Sequence, residues 1–112
     1  MATDTWEITD ESLGDGLAAS KGALLLCHYT GFLEDGTKFD SSYDHGRPFQ
    51  FVIGSGRVIK GWDQGLIGMR AGGKRKLIVP AHLGYGEREK GLIKPNSNLI
   101  FYVELIEVRP RE

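Results

Sequence analysis

Sixteen glycines divide this 112-residue sequence into short pieces, which limits the chain to short elements joined by turns. Most of the pieces alternate apolar and polar residues, or are rich in residue types that favour strands. The clearest piece is NLIFYVELIEV, residues 98–108, whose side chains alternate between the two faces of one long strand. We expect its core face to consist of Leu99, Phe101, Val103 and Leu105.

Other pieces predict further strands: ALLLCHYTGFL, KFD, PFQFVIG and KRKLIVP, with WEIT as a candidate for a strand at the N-terminal edge. The first two strands meet at Asp35-Gly36, a dipeptide that supplies the positive backbone angles of a tight hairpin turn. Turns of this length favour antiparallel pairing throughout.

One segment, SGRVIKGWDQGLIGM, is predicted to form a helix. The apolar residues at helical spacing are Val58, Ile59, Trp62 and Leu66. We expect Ser55 to cap the helix at its N-terminus and Gly68 to take the left-handed geometry of its end. Gly61 is unusual because a glycine inside a helix costs about 1 kcal/mol relative to alanine, so we expect another group to approach it closely. One antiparallel sheet and one short helix predict an α+β fold.

The size and charge of the chain narrow the class of protein. A chain with 40% hydrophobic residues buries one core, so we expect a single domain over residues 1–112, with residues 1–19 as an N-terminal extension. A formal charge of -1 and a pI near 6.3 argue against a protein that coats nucleic acid. We interpret the basic GGKRK, residues 72–76, as solvated surface. The same interpretation applies to the N-terminal acids Asp4, Glu7, Asp10, Glu11 and Asp15.

The sequence also indicates the cellular compartment in which we expect the protein to act. MATDTWEITDES lacks the basic start and apolar run of a secretory signal, and the longest apolar runs are too short to span a bilayer. A single cysteine, Cys27, cannot form an internal disulfide. We therefore expect a cytoplasmic protein that does not enter a membrane.

Few residues offer conventional catalytic chemistry. GMRAGGKR approximates a P-loop, but Arg75 stands where a hydroxyl must meet magnesium, and the segment leads from a helix into a strand. His28, His45 and His82 lack metal-ligand spacing. Cys27 and His28 are neighbours in a strand, so their side chains point to opposite faces. We expect no metal and no cofactor, and binding or catalysis without proton transfer or covalent attack.

Several motifs together resemble the FKBP-type peptidylprolyl isomerases, the macrolide-binding immunophilins. These motifs are HYTG (28–31), DGTKFDSS (35–42), RPFQFVIGSGRVIKGWDQG (47–65), GMRAGGKRKLIVP (68–80), LGYG (83–86) and NLIFYVELIEV (98–108). The resemblance covers roughly residues 20–109, in the family's order and approximate spacing. Each motif alone is weak, whereas the joint occurrence of FDSS, VIKGW and GYG is specific.

The resemblance implies an antiparallel sheet wrapped around one short helix, with a pocket between them and Trp62 as its floor. It implies that the catalytic residues are Asp40, Tyr85, Tyr29 and Trp62. The implied substrate-binding residues are Phe39, Phe49, Val58, Ile59, Leu92, Ile93 and Phe101. By analogy Asp40 is the one carboxylate of the pocket and accepts a hydrogen bond from Tyr29. From the residues alone, plain core packing is favoured for each aromatic side chain, and Asp40 could as easily be a turn residue.

The implied function is cis-trans isomerisation of Xaa-Pro bonds in peptides and unfolded proteins, with macrolides such as rapamycin or tacrolimus as ligands. The alternative is a non-catalytic module that grips a proline-containing loop or a macrolide and regulates a partner. No N-terminal dimerisation helix is evident, so we expect a monomer.

Two positions depart from the family pattern at the expected pocket rim. One is the loop at His45 and Gly46, where many members carry a basic residue, and the other is Arg57, which stands where an acidic or neutral residue is common. These departures bear on substrate preference. The loop EREKGLIK, residues 87–94, is too short to hold the chaperone domain that some relatives insert there.

Overall fold

The computed structural model describes residues 6–111. The first five residues of the predicted extension, Asp4 among them, lie outside the described residues. Within 6–111 the strands are β1 (Glu7–Ser12), β2 (Leu24–Leu33), β3 (Lys38–Ser41), β4 (Phe49–Val52), β5 (Lys74–Val79) and β6 (Leu99–Arg109). The same residues, 6–111, form one α-helix, α1 (Lys60–Gly65), and two 3₁₀ turns, Ser42–His45 and Ala81–Leu83. The predicted α+β class is confirmed.

The six strands form one antiparallel sheet in the order β1-β5-β6-β2-β3. β4 pairs with Leu24–Cys27 of β2, and β3 pairs with Thr30–Phe32, so these two strands follow each other along the same edge. β1, which begins at Glu7 within the predicted WEIT segment, pairs with β5 at the opposite edge. α1 packs against the sheet at β5 and encloses the core.

The alternation predicted for β6 is confirmed. Its inward residues Leu99, Phe101, Val103 and Leu105 are all buried, whereas Tyr102 and Ile106 are exposed. A bulge leaves Ile106 without a partner in β2 and shifts the alternation, so that Val108 returns to the core.

The hairpin predicted at Asp35-Gly36 is also confirmed, but Gly36 alone of the two residues has a positive φ. Gly36 has a φ of 92°, and its N–H donates to the Leu33 carbonyl oxygen at 2.9 Å. The Asp35 carboxylate accepts the Thr37 N–H at 2.9 Å and fixes the turn.

The helix begins later than predicted, and the expected N-cap at Ser55 is wrong. α1 starts directly after Ile59, which supplies no capping side chain, and the Ser55 hydroxyl donates instead to a carbonyl oxygen of β4. Asp63 holds the preceding segment as a loop, because its carboxylate accepts the N–H groups of Gly54 and Gly56 at 2.8 and 2.9 Å. A side chain inside the helix therefore organises the residues before it.

Close approach at Gly61 is confirmed. A Cβ atom at this position would lie 2.6 Å from a Cγ atom of Val79 on β5, closer than real Cβ contacts come. At the other end, Gly68 has the expected left-handed φ of 83°, but the helix is already capped at Leu66. No helix in residues 6–111 is long and apolar enough to cross a membrane.

The interpretation of GGKRK as solvated surface is wrong for Arg75, whereas its partner Asp10, one of the N-terminal acids, lies on an exposed strand. Arg75 is 8% exposed, and its guanidinium donates to both Asp10 carboxylate oxygens at 2.6 and 3.2 Å. It also donates to the carbonyl oxygens of Gly65 and Ile67 at 2.9 and 3.2 Å. The carbonyl groups at a helix end lack partners within the helix, and the alternation of β5 turns Arg75 towards them.

Candidate active site

A cavity of about 280 Å³ opens between the sheet, α1 and the loop that precedes β6. It is lined by Tyr29, Phe39, Asp40, Phe49, Arg57, Val58, Ile59, Trp62, Tyr85, Lys90 and Phe101. Strands β2, β3, β4 and β6 each contribute a ring or carboxylate, α1 contributes Trp62, and two loops supply the rest. Lys90 is the lining residue that the sequence analysis did not single out.

Trp62 forms the floor of the cavity and is held by neighbouring rings. The residue is 4% exposed, and its indole meets the rings of Tyr29 and Phe101 edge-to-face at centroid distances of 5.0 and 5.4 Å. Such pairs favour one fixed orientation. Among the side chains of residues 6–111, its indole N–H is the one buried polar group without a hydrogen-bond partner. The fold thus keeps an energetically unfavourable group beside the cavity.

Asp40 is bonded to several neighbours at once. One carboxylate oxygen accepts the Tyr29 hydroxyl at 2.6 Å, and the other lies 3.1 Å from the His45 ring nitrogen. Burial works to raise the pKa of Asp40, but the hydrogen bonds from Tyr29, His45 and the Ser41 N–H outweigh it and hold the pKa below its usual range. Burial and the bond to Asp40 raise the pKa of the Tyr29 phenol far above its usual range.

The two serines of FDSS explain how the chain positions this pair. Ser42 is 2% exposed, and its hydroxyl accepts the Tyr29 N–H at 2.8 Å and lies 2.8 Å from a ring nitrogen of His28. Ser41 caps the following 3₁₀ turn through its hydroxyl, which accepts the Tyr43 N–H. These bonds tie the end of β3 to β2, and they bring Asp40 against Tyr29.

Two polar groups at the cavity are available to a ligand, the Ile59 N–H and the Tyr85 hydroxyl. Ile59 has an extended backbone as the helix cap, and its N–H has no hydrogen-bond partner within residues 6–111. Tyr85 is half-buried and follows the 3₁₀ turn Ala81–Leu83. The Lys90 ammonium lies 5.0 Å from the centre of the Tyr85 ring.

Leu92 and Ile93 do not line the cavity, although the resemblance implied both as binding residues. Ile93 is 3% exposed and belongs to the core, while Leu92 is 58% exposed. Two backbone hydrogen bonds between Lys90 and Ile93 close a tight turn. Successive side chains of this turn point apart, so one enters the core and the other faces solvent.

The described cavity wall contains no thiol or imidazole, and Asp40 is its only carboxylate. Cys27 is fully buried on the core side of β2, and burial raises its pKa to about 12. His28 lies on the other face, stacked on Tyr43 at a centroid distance of 4.2 Å. Across residues 6–111 no three His, Cys, Asp or Glu side chains cluster as metal ligands do. Fold and site thus define a small α+β protein whose cavity suits an apolar ring between a few polar groups.

Comparison with known proteins agrees with this class. Residues 16–106 match the family model of the FKBP-type peptidyl-prolyl cis-trans isomerases. The chain is 53% identical over 102 residues to an FK506-binding protein of Neisseria meningitidis serogroup A, covering 90% of this chain and 94% of that protein. It is also 53% identical over 96 residues to the peptidyl-prolyl cis-trans isomerase FKBP2 of Homo sapiens, covering 85% of this chain and 68% of that one.

A solved structure extends the similarity to the fold. The crystal structure of AtFKBP13 matches with a TM-score of 0.86 at 43% identity, covering 95% of this chain and 94% of that chain. The chain therefore belongs to the FKBP-type peptidyl-prolyl cis-trans isomerases. It is an enzyme that interconverts the cis and trans forms of Xaa-Pro bonds. The resemblance drawn from the motifs is confirmed.

Proposed function

We propose that the chain accelerates Xaa-Pro isomerisation by taking the prolyl ring into the aromatic cavity over Trp62 and binding the twisted amide better than the planar one. The observation that carries this mechanism is the cavity of about 280 Å³ with an indole floor and a single carboxylate. Its walls offer apolar surface and fixed dipoles, which suit a reaction that breaks no covalent bond.

The energetic demand on such a site is modest. Rotation about a peptide bond faces a barrier of about 18–20 kcal/mol, because resonance gives the bond partial double-bond character. Raising an uncatalysed rate of about 0.01 per second to a typical turnover of about 10 per second takes roughly 4 kcal/mol. Removal of water and a few well-placed polar contacts are sufficient for an effect of this size.

Each group of lining residues has a proposed part in this step. Trp62 and the surrounding rings hold the pyrrolidine and exclude water, which disfavours the planar amide because that form is the more dipolar. The Ile59 N–H and the Tyr85 hydroxyl donate to carbonyl oxygens on either side of the bond. Asp40 orients Tyr29 and shapes the local field.

The proposed substrates are proline-containing peptides and unfolded proteins, and macrolides such as rapamycin or tacrolimus are proposed to occupy the same cavity. The name of the Neisseria relative, an FK506-binding protein, supports macrolide binding. We also propose that the chain acts as a monomer in the cytoplasm. Light scattering of the purified protein and cell fractionation test these two points.

NMR exchange spectroscopy on a short Leu-Pro peptide tests the mechanism. We expect the chain to accelerate cis-trans exchange, rapamycin or tacrolimus to abolish the acceleration, and Trp62→Leu to reduce it by a modest factor with the fold retained. An absence of acceleration would rule out the catalytic mechanism. Macrolide binding without acceleration would favour the non-catalytic module.

A further inference from the structure

We infer that a basic groove beside the cavity selects substrates with acidic side chains close to the target proline. The inference rests on the proposed function, because it concerns the same peptide. The groove is a second depression of about 540 Å³ next to the cavity, and its cationic residues are Arg57, Lys60, Arg88 and Lys90. Arg57 and Lys90 line both spaces, so the two openings are continuous.

Positive charge exceeds negative charge among the residues that line the groove. Within residues 6–111 none of the four cations forms an ion pair with a carboxylate. Asp63 is the one carboxylate in the lining, and it is held by the backbone N–H groups of Gly54 and Gly56, so four cations stand against one negative charge. His82 is the remaining titratable side chain besides Tyr85, and it adds no negative charge.

In the loop after Tyr85, the basic residues line the groove and the acidic residues do not. Its sequence EREK, residues 87–90, alternates acids and bases, yet Arg88 and Lys90 line the groove and Glu87 and Glu89 do not. Lys90 is further localised by its contact with the Tyr85 ring at 5.0 Å. If the loop were only solvated surface, its acidic and basic residues would be expected to face the groove equally.

A bound peptide has to pass these cations. Ile59 and Tyr85, the groups proposed to hold the flanking carbonyls, line both the cavity and the groove. Residues next to the proline therefore leave the cavity along Arg57 and Lys90. Glutamate or aspartate there forms exposed ion pairs, which are individually weak and screened by salt. Lysine at the same place is repelled.

The test compares three peptides with one Leu-Pro bond, flanked on both sides by two glutamates, two lysines or two glutamines. Exchange rates yield kcat/KM, and NMR titration yields Kd. We expect kcat/KM to favour the glutamate over the lysine peptide by about three- to ten-fold at low salt. We expect this ratio to approach one near 0.5 M NaCl, where the screening length is only a few ångströms.

Charge reversal identifies the residues responsible. Arg57→Glu/Lys90→Glu is expected to invert the preference for the glutamate peptide. Lys74→Glu/Lys76→Glu changes the net charge equally but alters β5, away from the cavity and groove, and is expected to retain the preference. If the groove variant does not fold, the salt dependence of the unmodified chain decides.

Equal kcat/KM and Kd for glutamate and lysine peptides at low salt would overturn the inference. So would an equal loss of preference in the β5 variant, since net charge alone would then be responsible. The glutamine peptide separates the two proposals. If it is bound but not accelerated, the proposed mechanism fails, whereas the ratio of Kd values still decides whether the groove selects acidic peptides.

Discussion

The Tyr29 hydroxyl donates to Asp40 across 2.6 Å and joins the middle of β2 to the end of β3 at the cavity wall. The same carboxylate also accepts the Ser41 N–H at 2.8 Å and contacts His45. A carboxylate with this many donors is a weak base, because each hydrogen bond favours its charged form. Its suitable role is to fix Tyr29 and contribute a constant negative charge.

Replacing members of this pair should slow isomerisation without abolishing it. For Asp40→Asn and Tyr29→Phe we expect the rate of isomerisation to fall by less than about 100-fold. A residue that acted as a general acid or base would contribute about 100-fold or more, so its removal would cost more than this. NMR exchange on a Leu-Pro peptide measures the effect. Asp44→Asn is the control, since Asp44 lies in the neighbouring turn and pairs with Lys38 at 3.0 Å outside the cavity. Complete loss in Asp40→Asn, with peptide affinity intact, would establish proton transfer instead.

The lowered pKa of Asp40 predicts how it contributes to stability as pH changes. Its pKa is lower in the folded state than in the unfolded state, so the folded chain binds fewer protons and the free energy of unfolding rises with pH through this window. The contribution is present above about pH 4 and disappears as pH falls through the folded value. Urea unfolding of Asp40→Asn should therefore differ most from the unmodified chain near pH 6 and least in strong acid. A difference in the free energy of unfolding that stays constant with pH would contradict this. Asp15→Asn, at an exposed position, serves as the control.

Gly61→Ala tests the contact between α1 and β5. Alanine raises helix propensity by about 1 kcal/mol, but overpacking against Val79 costs about 1–3 kcal/mol. We expect net destabilisation in chemical denaturation. Val79→Ala removes the two methyl groups nearest the added Cβ, so the double variant should lose less stability than the sum of the single variants. Simple additivity would show that the space between helix and strand is not limiting.

Arg75→Met should destabilise the fold strongly. The change leaves the Gly65 and Ile67 carbonyl groups without their donor and Asp10 without its partner, and loss of one member of a buried pair costs about 3–5 kcal/mol. Because Asp10 is partly exposed, the lower end of this range is expected. Lys74→Met, one residue earlier on the other face of β5 and exposed, is the matched control and should change stability by less than about 0.5 kcal/mol. Equal effects of the two substitutions would refute the structural role of Arg75.

Alternation and turn chemistry predicted most of the sheet. The inward face of β6 from Leu99 to Leu105 follows from a period of two, and Gly36 supplies the one left-handed residue that the β2–β3 turn needs. The helix start was missed because Ser55 has the chemistry of a cap. Its loop is instead organised by Asp63, a residue eight positions later, which no local rule takes into account.

Long-range pairing explains what the sequence did not reveal at the site. Composition alone left Trp62 and Phe101 as ordinary core residues, and only the family resemblance assigned them to a pocket. Arg75 was interpreted as surface because its partner, Asp10, lies 65 positions away. Lys90 was missed for a similar reason: its position at the cavity depends on the turn that it forms with Ile93.

The order of strands in the sheet also has a consequence for biosynthesis. β6 is the last strand in the described chain, yet it lies between β5 and β2 and pairs with both. Partners so distant in sequence meet only after a large loss of chain entropy. During synthesis on a ribosome we therefore expect the edge of β2 that pairs with β6 to stay open until residues 99–109 have emerged.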